Sequence, residues 1–500
     1  MFKRILKTLG ALVAGHGIQT FSQLLIPPAF IAAYGIEGYG EWLVLSAAVG
    51  YLNTLDFGFQ TYVLNELTGL YHRNEMEQFH KVQSVGLWLM LIFIVAGLGL
   101  AACAFVVPLN AILRISGPQN ALAWTVFWLA LQVLANLPLG QIIGVYRTFG
   151  QAHRGVMWTN LYRILLLAIT IGLAALHAPF WLIAAGQVLG VLGILFAVIL
   201  FLRWSKPEVC PRLNYWNWKL ARAILKPSAF FGLFMVNNFL VYQAPILMLQ
   251  RFVGAQAVVV FSVGRTLFSF VRQGVSLIQQ GITPELARLS GKGEKEKLVR
   301  VYLLFEGVVL ATVLIVNTGI LLAGPILVRF WLKRPELFDL TVFVPLMLVT
   351  VILSVKEYKV NFQCATNQHI RTGVATFASY VAMVFISWPV ILWFGVLGFL
   401  SLWFAVELLQ LALVHSHNAR FLGGNKNITL RPAMRLAAAL VGIVLLILLS
   451  RSLLESRYYI LQGATAVFAM AALAATSYFL FDLREILSEA KGQYLKIRFG

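Results

Sequence analysis

Residues 82–107 read VQSVGLWLMLIFIVAGLGLAACAFVV, an apolar run without one charged side chain. Coiled as a helix at about 1.5 Å per residue, it extends about 39 Å, more than the roughly 30 Å hydrocarbon core of a bilayer. This run predicts a transmembrane helix. Windows of the same kind recur along the chain, near Leu9 to Ala33, Trp42 to Leu64, Val82 to Val107, Leu122 to Val145, Val156 to Leu176, Phe180 to Leu202 and Pro227 to Leu249. They continue near Ala255 to Gly281, Val301 to Ala323, Leu340 to Phe362, Thr372 to Phe394, Val396 to His415, Leu436 to Leu454 and Tyr458 to Phe481. The expected fold is all-α: a polytopic membrane protein of about fourteen transmembrane helices. Composition agrees, since 60% hydrophobic and 12% charged residues with a mean hydropathy of +0.82 do not describe a water-soluble chain of 500 residues.

A formal charge of +20 would suggest nucleic acid as the partner of a soluble protein, but here the basic residues lie between apolar runs. About 27 of the 39 Lys and Arg residues fall on the side holding both termini, about 7 on the other side and about 5 within helices. The positive-inside rule then makes the termini cytoplasmic. Met1 to Lys7 is basic and Leu9 to Ala14 apolar, as in a secretory signal, yet the apolar stretch runs on to Tyr34 and is long enough to span. Cys103, Cys210 and Cys364 are isolated, so neither disulfides nor a metal site is expected. After the sixth helix, Arg203, Lys206, Arg212, Lys219, Arg222 and Lys226 crowd together among Trp204, Tyr215, Trp216 and Trp218. That pattern predicts an amphipathic stretch on the inner surface, with anionic membrane lipids as its partner. The longest outer loop is Pro325 to Asp339, which leaves no room for an extracytoplasmic catalytic domain.

The chain also repeats itself weakly. At an offset of about 217 to 219 residues, Pro28 meets Pro245, Tyr34-Gly35 meets Val253-Gly254, and Glu66-Leu67 meets Glu285-Leu286. Gln151 beside His153 likewise meets Gln368 beside His369. Each repeat holds six helices, an even number, so the two run through the membrane in the same direction. The expected organisation is a six-helix lobe over 1–212, a second over 213–420, and a C-terminal helix pair with its tail over 421–500.

Polar residues within membrane helices are costly against lipid and normally face an interior or a cavity. In the eighth helix Arg265, Ser269, Arg272, Ser276 and Gln279 recur at spacings of four and three, on one face. The second helix carries Ser46, Asn53, Asp56 and Gln60. The first carries His16, Gln19, Gln23 and Pro27, and the seventh Asn238, Tyr242 and Pro245. Arg265 and Arg272 stand two turns, about 10 Å, apart. Two guanidinium groups on one inward face suit a pyrophosphate through bidentate, charge-assisted hydrogen bonds. The alternative is that each arginine only ties helices together, and Asp56, at a depth close to that of Arg272, is a candidate structural partner. The candidate substrate-binding set is Arg265, Arg272, His16, Gln19, Gln23, Asn53, Asn238 and Gln279; Asp56, Lys356 and Glu357 are coupling or structural candidates.

Lys356, Lys359 and Gln363 share a face of the tenth helix, with Glu357 beside them, and Lys356 with Glu357 reads as a secondary site. Arg163, Lys359 and Glu306 are expected to snorkel to the inner interface. Pro27, Pro28 and Pro245 interrupt the first and seventh helices and permit bending there.

The stretch Tyr34-Gly35-Ile36-Glu37-Gly38-Tyr39-Gly40-Glu41-Trp42, followed by Leu55-Asp56-Phe57-Gly58, resembles the opening of the O-antigen-type polysaccharide flippases. These belong to the multidrug, oligosaccharidyl-lipid and polysaccharide exporter superfamily. The resemblance implies a V-shaped, MATE-like pair of bundles, a central cationic cavity and alternating access. It also implies an undecaprenyl-pyrophosphate-linked saccharide as cargo, for surface polysaccharide or lipopolysaccharide biosynthesis, with a polymerase and assembly proteins as partners. Arg265 and Arg272 fall in the helix where the similar lipid II flippases place cavity arginine, whereas His16, Gln19 and Gln23 stand where those relatives have arginine.

Three functions remain to compare. A lipid-linked oligosaccharide flippase fits two arginines on the inner face. A drug or cation antiporter of the same fold wants acidic residues there, and Asp56 alone is well placed. A membrane glycosyltransferase or polymerase needs a D-x-D metal site and a large loop, and the sequence offers neither. No enzyme activity and no cofactor are expected. Without a G-x-x-x-x-G-K-[ST] loop, direct use of ATP is not expected, and proton or sodium coupling through Asp56, Glu357 or Glu407 stays open.

Overall fold

The chain is described here by a computed structural model covering residues 2–56, 59–366 and 370–423, with short helical pieces at 434–437, 440–442, 464–467, 469–471 and 473. Among the described residues there is no strand. In order, the helices are α1 (Phe2–Val49), α2 (Phe59–His72), α3 (Met76–Ala102), α4 (Leu109–Leu113), α5 (Gln119–Gly144), α6 (Ala152–Ala175) and α7 (Phe180–Ser205). There follow α8 (Trp218–Tyr242), α9 (Ala244–Phe252), α10 (Ala255–Gly291), α11 (Lys295–Leu332), α12 (Leu340–Ala365) and α13 (Ile370–Phe421). Eight described helices are long and apolar enough to cross a membrane. Their outward side chains are those lipid solvates: Trp393 is 81% exposed and Phe385 74%, an arrangement water would not tolerate. The protein is a multi-pass membrane protein.

Two of these helices are each a pair joined at a glycine. α1 turns at Gly35 (φ 74°) and α13 at Gly395 (φ 59°); left-handed backbone of this kind costs a side-chain-bearing residue energy that glycine avoids. With those turns counted, the twelve expected helices up to His415 appear in order. The last two expected helices lie largely outside the described residues, although Ala466 and Ala469 pack on Leu322 of α11.

Left-handed turns also display the internal repeat. Gly35 and Gly254, Asn74 and Gly293, Arg114 and Lys333, and His177 and Gly395 all have positive φ. Each pair lies 218 or 219 residues apart, so the chain reverses direction at matching places in both repeats. Leu67 and Leu286, matched in the sequence, are both fully buried. Gln368 and His369, matched to Gln151 and His153, lie outside the described residues. By contacts the chain divides into two compact units, Met1–Val259 and Val260–Gly500.

Within the first unit α5 packs on α7 and α3, and α6 packs on α1 and α7. An aromatic cluster holds the α1 turn, with Phe30 and Trp42 rings 5.1 Å apart and Tyr34 edge-on to Phe180 at 5.0 Å. Two local breaks interrupt this series, the second at Pro245, where the sequence predicts an interruption. The expected second helix is α-helical to Val49, turns into a 3-10 segment over Gly50–Asp56, and is α-helical again in α2 from Phe59. The expected seventh helix splits into α8 and α9, with Pro245 in the first turn of α9, because proline cannot supply a hydrogen bond inside a helix but fits its first turn. Pro27 and Pro28 instead remain inside α1.

The basic connection after α7 is docked on α3 rather than loose. Ser84 donates to the Tyr215 carbonyl at 2.7 Å and accepts from its N–H at 3.0 Å. Gln83 donates to the Val209 carbonyl and Trp88 to that of Leu213. Trp204, Trp216 and Trp218 stay exposed, in the manner of interfacial aromatic residues. Lys206 pairs with Glu208 at 3.0 Å, and a backbone hydrogen bond, with Lys206 second, holds that carboxyl below its ordinary range.

In the second unit α12 packs on α11 and α13, and ionised side chains run through that packing.

Candidate functional site

Successive residues of a helix point about 100° apart, and α12 uses this to send three charges to three neighbours. Glu357 faces α10, where Arg272 grips it with two hydrogen bonds, Nε to Oε2 at 3.2 Å and NH2 to Oε1 at 2.9 Å. Lys356 faces the second half of α13, reaching Glu407 at 2.6 Å and the Gln410 amide oxygen at 2.8 Å. Lys359 faces α11 and pairs with Glu306. Lys356 and Glu357, expected as one secondary site, are adjacent positions that diverge, and each ion finds its partner on a different helix.

The two kinds of pair differ in surroundings. Arg272 and Glu357 are 24% and 36% exposed, open enough to meet a ligand. Lys356 and Glu407 are 5% and 0% exposed, inside a closed network: Tyr380 donates to Glu407 at 2.7 Å, Trp403 donates to the same oxygen at 3.0 Å, and Gln410 donates to Ser379. Around Lys359 lie Tyr302, 3.1 Å away, and a ring nitrogen of His415 at 3.1 Å. Asn418 bonds the Lys359 carbonyl and accepts from Gln363. Lys359 and Glu306 therefore do not snorkel; a buried charge is affordable where its partner is equally buried. Arg163 also ends within the protein, on the Gly15 carbonyl of α1 at 3.2 Å.

Arg265 lies over the Phe261 ring, 5.4 Å from its centre, a cation–π arrangement. It is part-buried, two turns from Arg272 on α10. A further tie from α10 to α12 runs from Asn361 to Thr283 at 2.8 Å. Gln279 is part-buried on α10, and His16, Gln19 and Gln23 are part-buried on α1. Asn53 is exposed and its amide bonds the Gly50 carbonyl at 3.2 Å. Asn238 is exposed, whereas its neighbour Asn237 is buried. The Asp56 side chain lies outside the described residues. The structure thus pairs Arg272 with Glu357 in the second unit, while Arg265 lies two turns away on α10 against Phe261. The groups around the Lys356–Glu407 pair, with Tyr380 and Trp403 donating to Glu407 and Gln410 accepting from Lys356, were missed in the sequence, although Trp403, Glu407 and Gln410 recur at helical spacing.

The motif at Tyr34 to Trp42 works as architecture. The Tyr34 hydroxyl donates to the Ala178 carbonyl at 2.6 Å, and the Ser116 N–H donates to Glu41 at 2.9 Å. A Cβ on Gly40 would stand 2.9 Å from the Ala255 carbonyl oxygen. None of these residues is placed to touch cargo through the groups so committed.

No protein-family model matches the sequence, and no curated protein matches it. Solved structures do share the fold. A structure of the lipid II flippase MurJ, 12% identical, matches over 97% of this chain and all of that one with a TM-score of 0.68. An inward-facing MATE-family multidrug resistance transporter of the MOP superfamily, 16% identical, matches over 84% of this chain and 95% of its own with a TM-score of 0.64. The Vibrio cholerae MATE transporter VcmN, 13% identical, covers 85% of this chain and 98% of its own with a TM-score of 0.55. The chain has the fold of the MOP-superfamily flippases and transporters.

Proposed function

We propose that the protein is a flippase of the polysaccharide type, moving an undecaprenyl-pyrophosphate-linked oligosaccharide across a bacterial inner membrane by alternating access. Its termini are cytoplasmic and its two six-helix lobes span 1–212 and 213–420. The observation that carries the reading is the two-point grip of Arg272 on Glu357. A guanidinium so presented to two carboxylate oxygens meets two phosphate oxygens with the same geometry, and Arg265 supplies a second cation on that face. Glu357 then acts as a resident competitor. It holds Arg272 when cargo is absent and takes it back at release, which keeps a dianionic head from being trapped.

Carboxylates argue against a drug or cation antiporter. Glu306, Glu357 and Glu407 are each neutralised by a cationic side chain, so none of the three presents free negative charge to a cation. His16, Gln19, Gln23, Asn53, Asn238 and Gln279 are proposed to meet the sugar rather than the pyrophosphate, being neutral hydrogen-bonding groups. Export of surface polysaccharide by cells carrying Arg272→Ala tests the reading. Export is lost while the variant still inserts at normal abundance; normal export would refute the assignment.

A further inference from the structure

The first half of α13, residues 370–394, and its second half, residues 396–421, diverge away from the Gly395 turn and leave a cavity of about 310 Å³ between their far ends. Its polar wall includes Arg371, Thr372, Thr376, Gln410, His417 and Arg420, and among the described residues no carboxylate lines it. Arg371 and Arg420 make no ion pair among the described residues, in a protein whose Arg272, Lys356 and Lys359 are all paired. Thr372 is only 7% exposed, and its hydroxyl has no hydrogen-bond partner among the described residues. The first turn of the first half of α13 adds backbone N–H groups without intrahelical acceptors, where the helix dipole also favours an anion. Beside the cavity, Val374 is 52% exposed, Leu409 56% and Leu413 48%, a strip fit for acyl chain rather than water.

We infer that this cavity is a binding site for the phosphate headgroup of an anionic membrane lipid, with Arg371 and Arg420 clamping the phosphate and the acyl chains lying along Leu409 and Leu413. Two arginines lining one pocket, with no acid among the described residues to pair with them, put positive charge at the membrane surface, and phosphate is the abundant anion there. Gln410 links the site to the interior, because its amide lines the cavity and also accepts from Lys356. The inference does not depend on which cargo Arg272 meets.

The test is native mass spectrometry of the purified full-length chain, titrated in micelles with phosphatidylglycerol and, separately, phosphatidylcholine. The wild-type chain should show one phosphatidylglycerol binding event that phosphatidylcholine does not match. An Arg371→Ala/Arg420→Ala variant should bind it about a hundredfold more weakly, two charge-assisted hydrogen-bonding groups having been lost. An Arg371→Lys/Arg420→Lys variant, which keeps both charges, should retain most of it, so misfolding is told apart from loss of the site. Equal binding by the wild-type chain and the alanine variant would overturn the proposal. Inorganic phosphate supplies the second arm: arginine-dependent thermal stabilisation by phosphate, without any phosphatidylglycerol event, would overturn a lipid as the source.

Discussion

Substituting Lys356→Met removes the cation from the most buried ion pair among the described residues. Glu407, fully buried, would keep only the hydrogen bonds from Tyr380 and Trp403, and Gln410 would lose a donor to its amide oxygen. Stripping one partner from a buried pair costs about 3–5 kcal/mol, because the other charge must stay buried alone or take up a proton. For a unit of this size, about 2–4 °C of melting temperature accompanies each kcal/mol, so the apparent Tm should fall by on the order of 10 °C. The double variant Lys356→Met/Glu407→Gln should melt higher than Lys356→Met alone, despite carrying one more substitution. Its neutral amide oxygen still accepts from Tyr380 and Trp403 while the orphan charge is gone. Thermal unfolding of detergent-purified protein, followed by size-exclusion chromatography, reads both. A double variant no more stable than the sum of the two single losses would refute coupling between these residues.

Gly40→Ala places a Cβ 2.9 Å from the Ala255 carbonyl, and the backbone shift it forces should cost about 1–3 kcal/mol, seen as a lower Tm and reduced yield. Gly35→Ala, at φ 74° and ψ −179°, should cost about 1–3 kcal/mol through backbone strain, again read as Tm. Ser84→Ala removes both hydrogen bonds to Tyr215, and trypsin should then cut at Arg212 several times faster while global Tm changes little.

Much of the architecture was legible because membrane helices announce themselves by length and hydropathy, and because the turns at Gly35 and Gly254 carry glycine for a conformational reason. The sequence offset of Tyr34-Gly35 from Val253-Gly254 reappears in the left-handed turns at Arg114 and Lys333, which no residue type marks. The site was only half legible. Periodicity put Arg265 and Arg272 on one face, but the rotation of α12 decides which neighbour each of Lys356, Glu357 and Lys359 meets, and one helix read alone does not contain that information. For the same reason Lys359 and Glu306, 53 residues apart, read as separate interfacial charges when they are partners. The 3-10 segment at Gly50–Asp56 was hidden because its polar residues happen to keep an α-like spacing.

The central claim is that Arg272 recognises a pyrophosphate in competition with Glu357, and equilibrium binding of undecaprenyl pyrophosphate to the purified protein tests it most directly. Arg272→Ala should weaken binding by about tenfold or more, the loss of one charge-assisted anchor, whereas Glu357→Gln should strengthen it by removing the competing carboxylate. Undiminished binding by Arg272→Ala, or weaker binding by Glu357→Gln, would contradict the account.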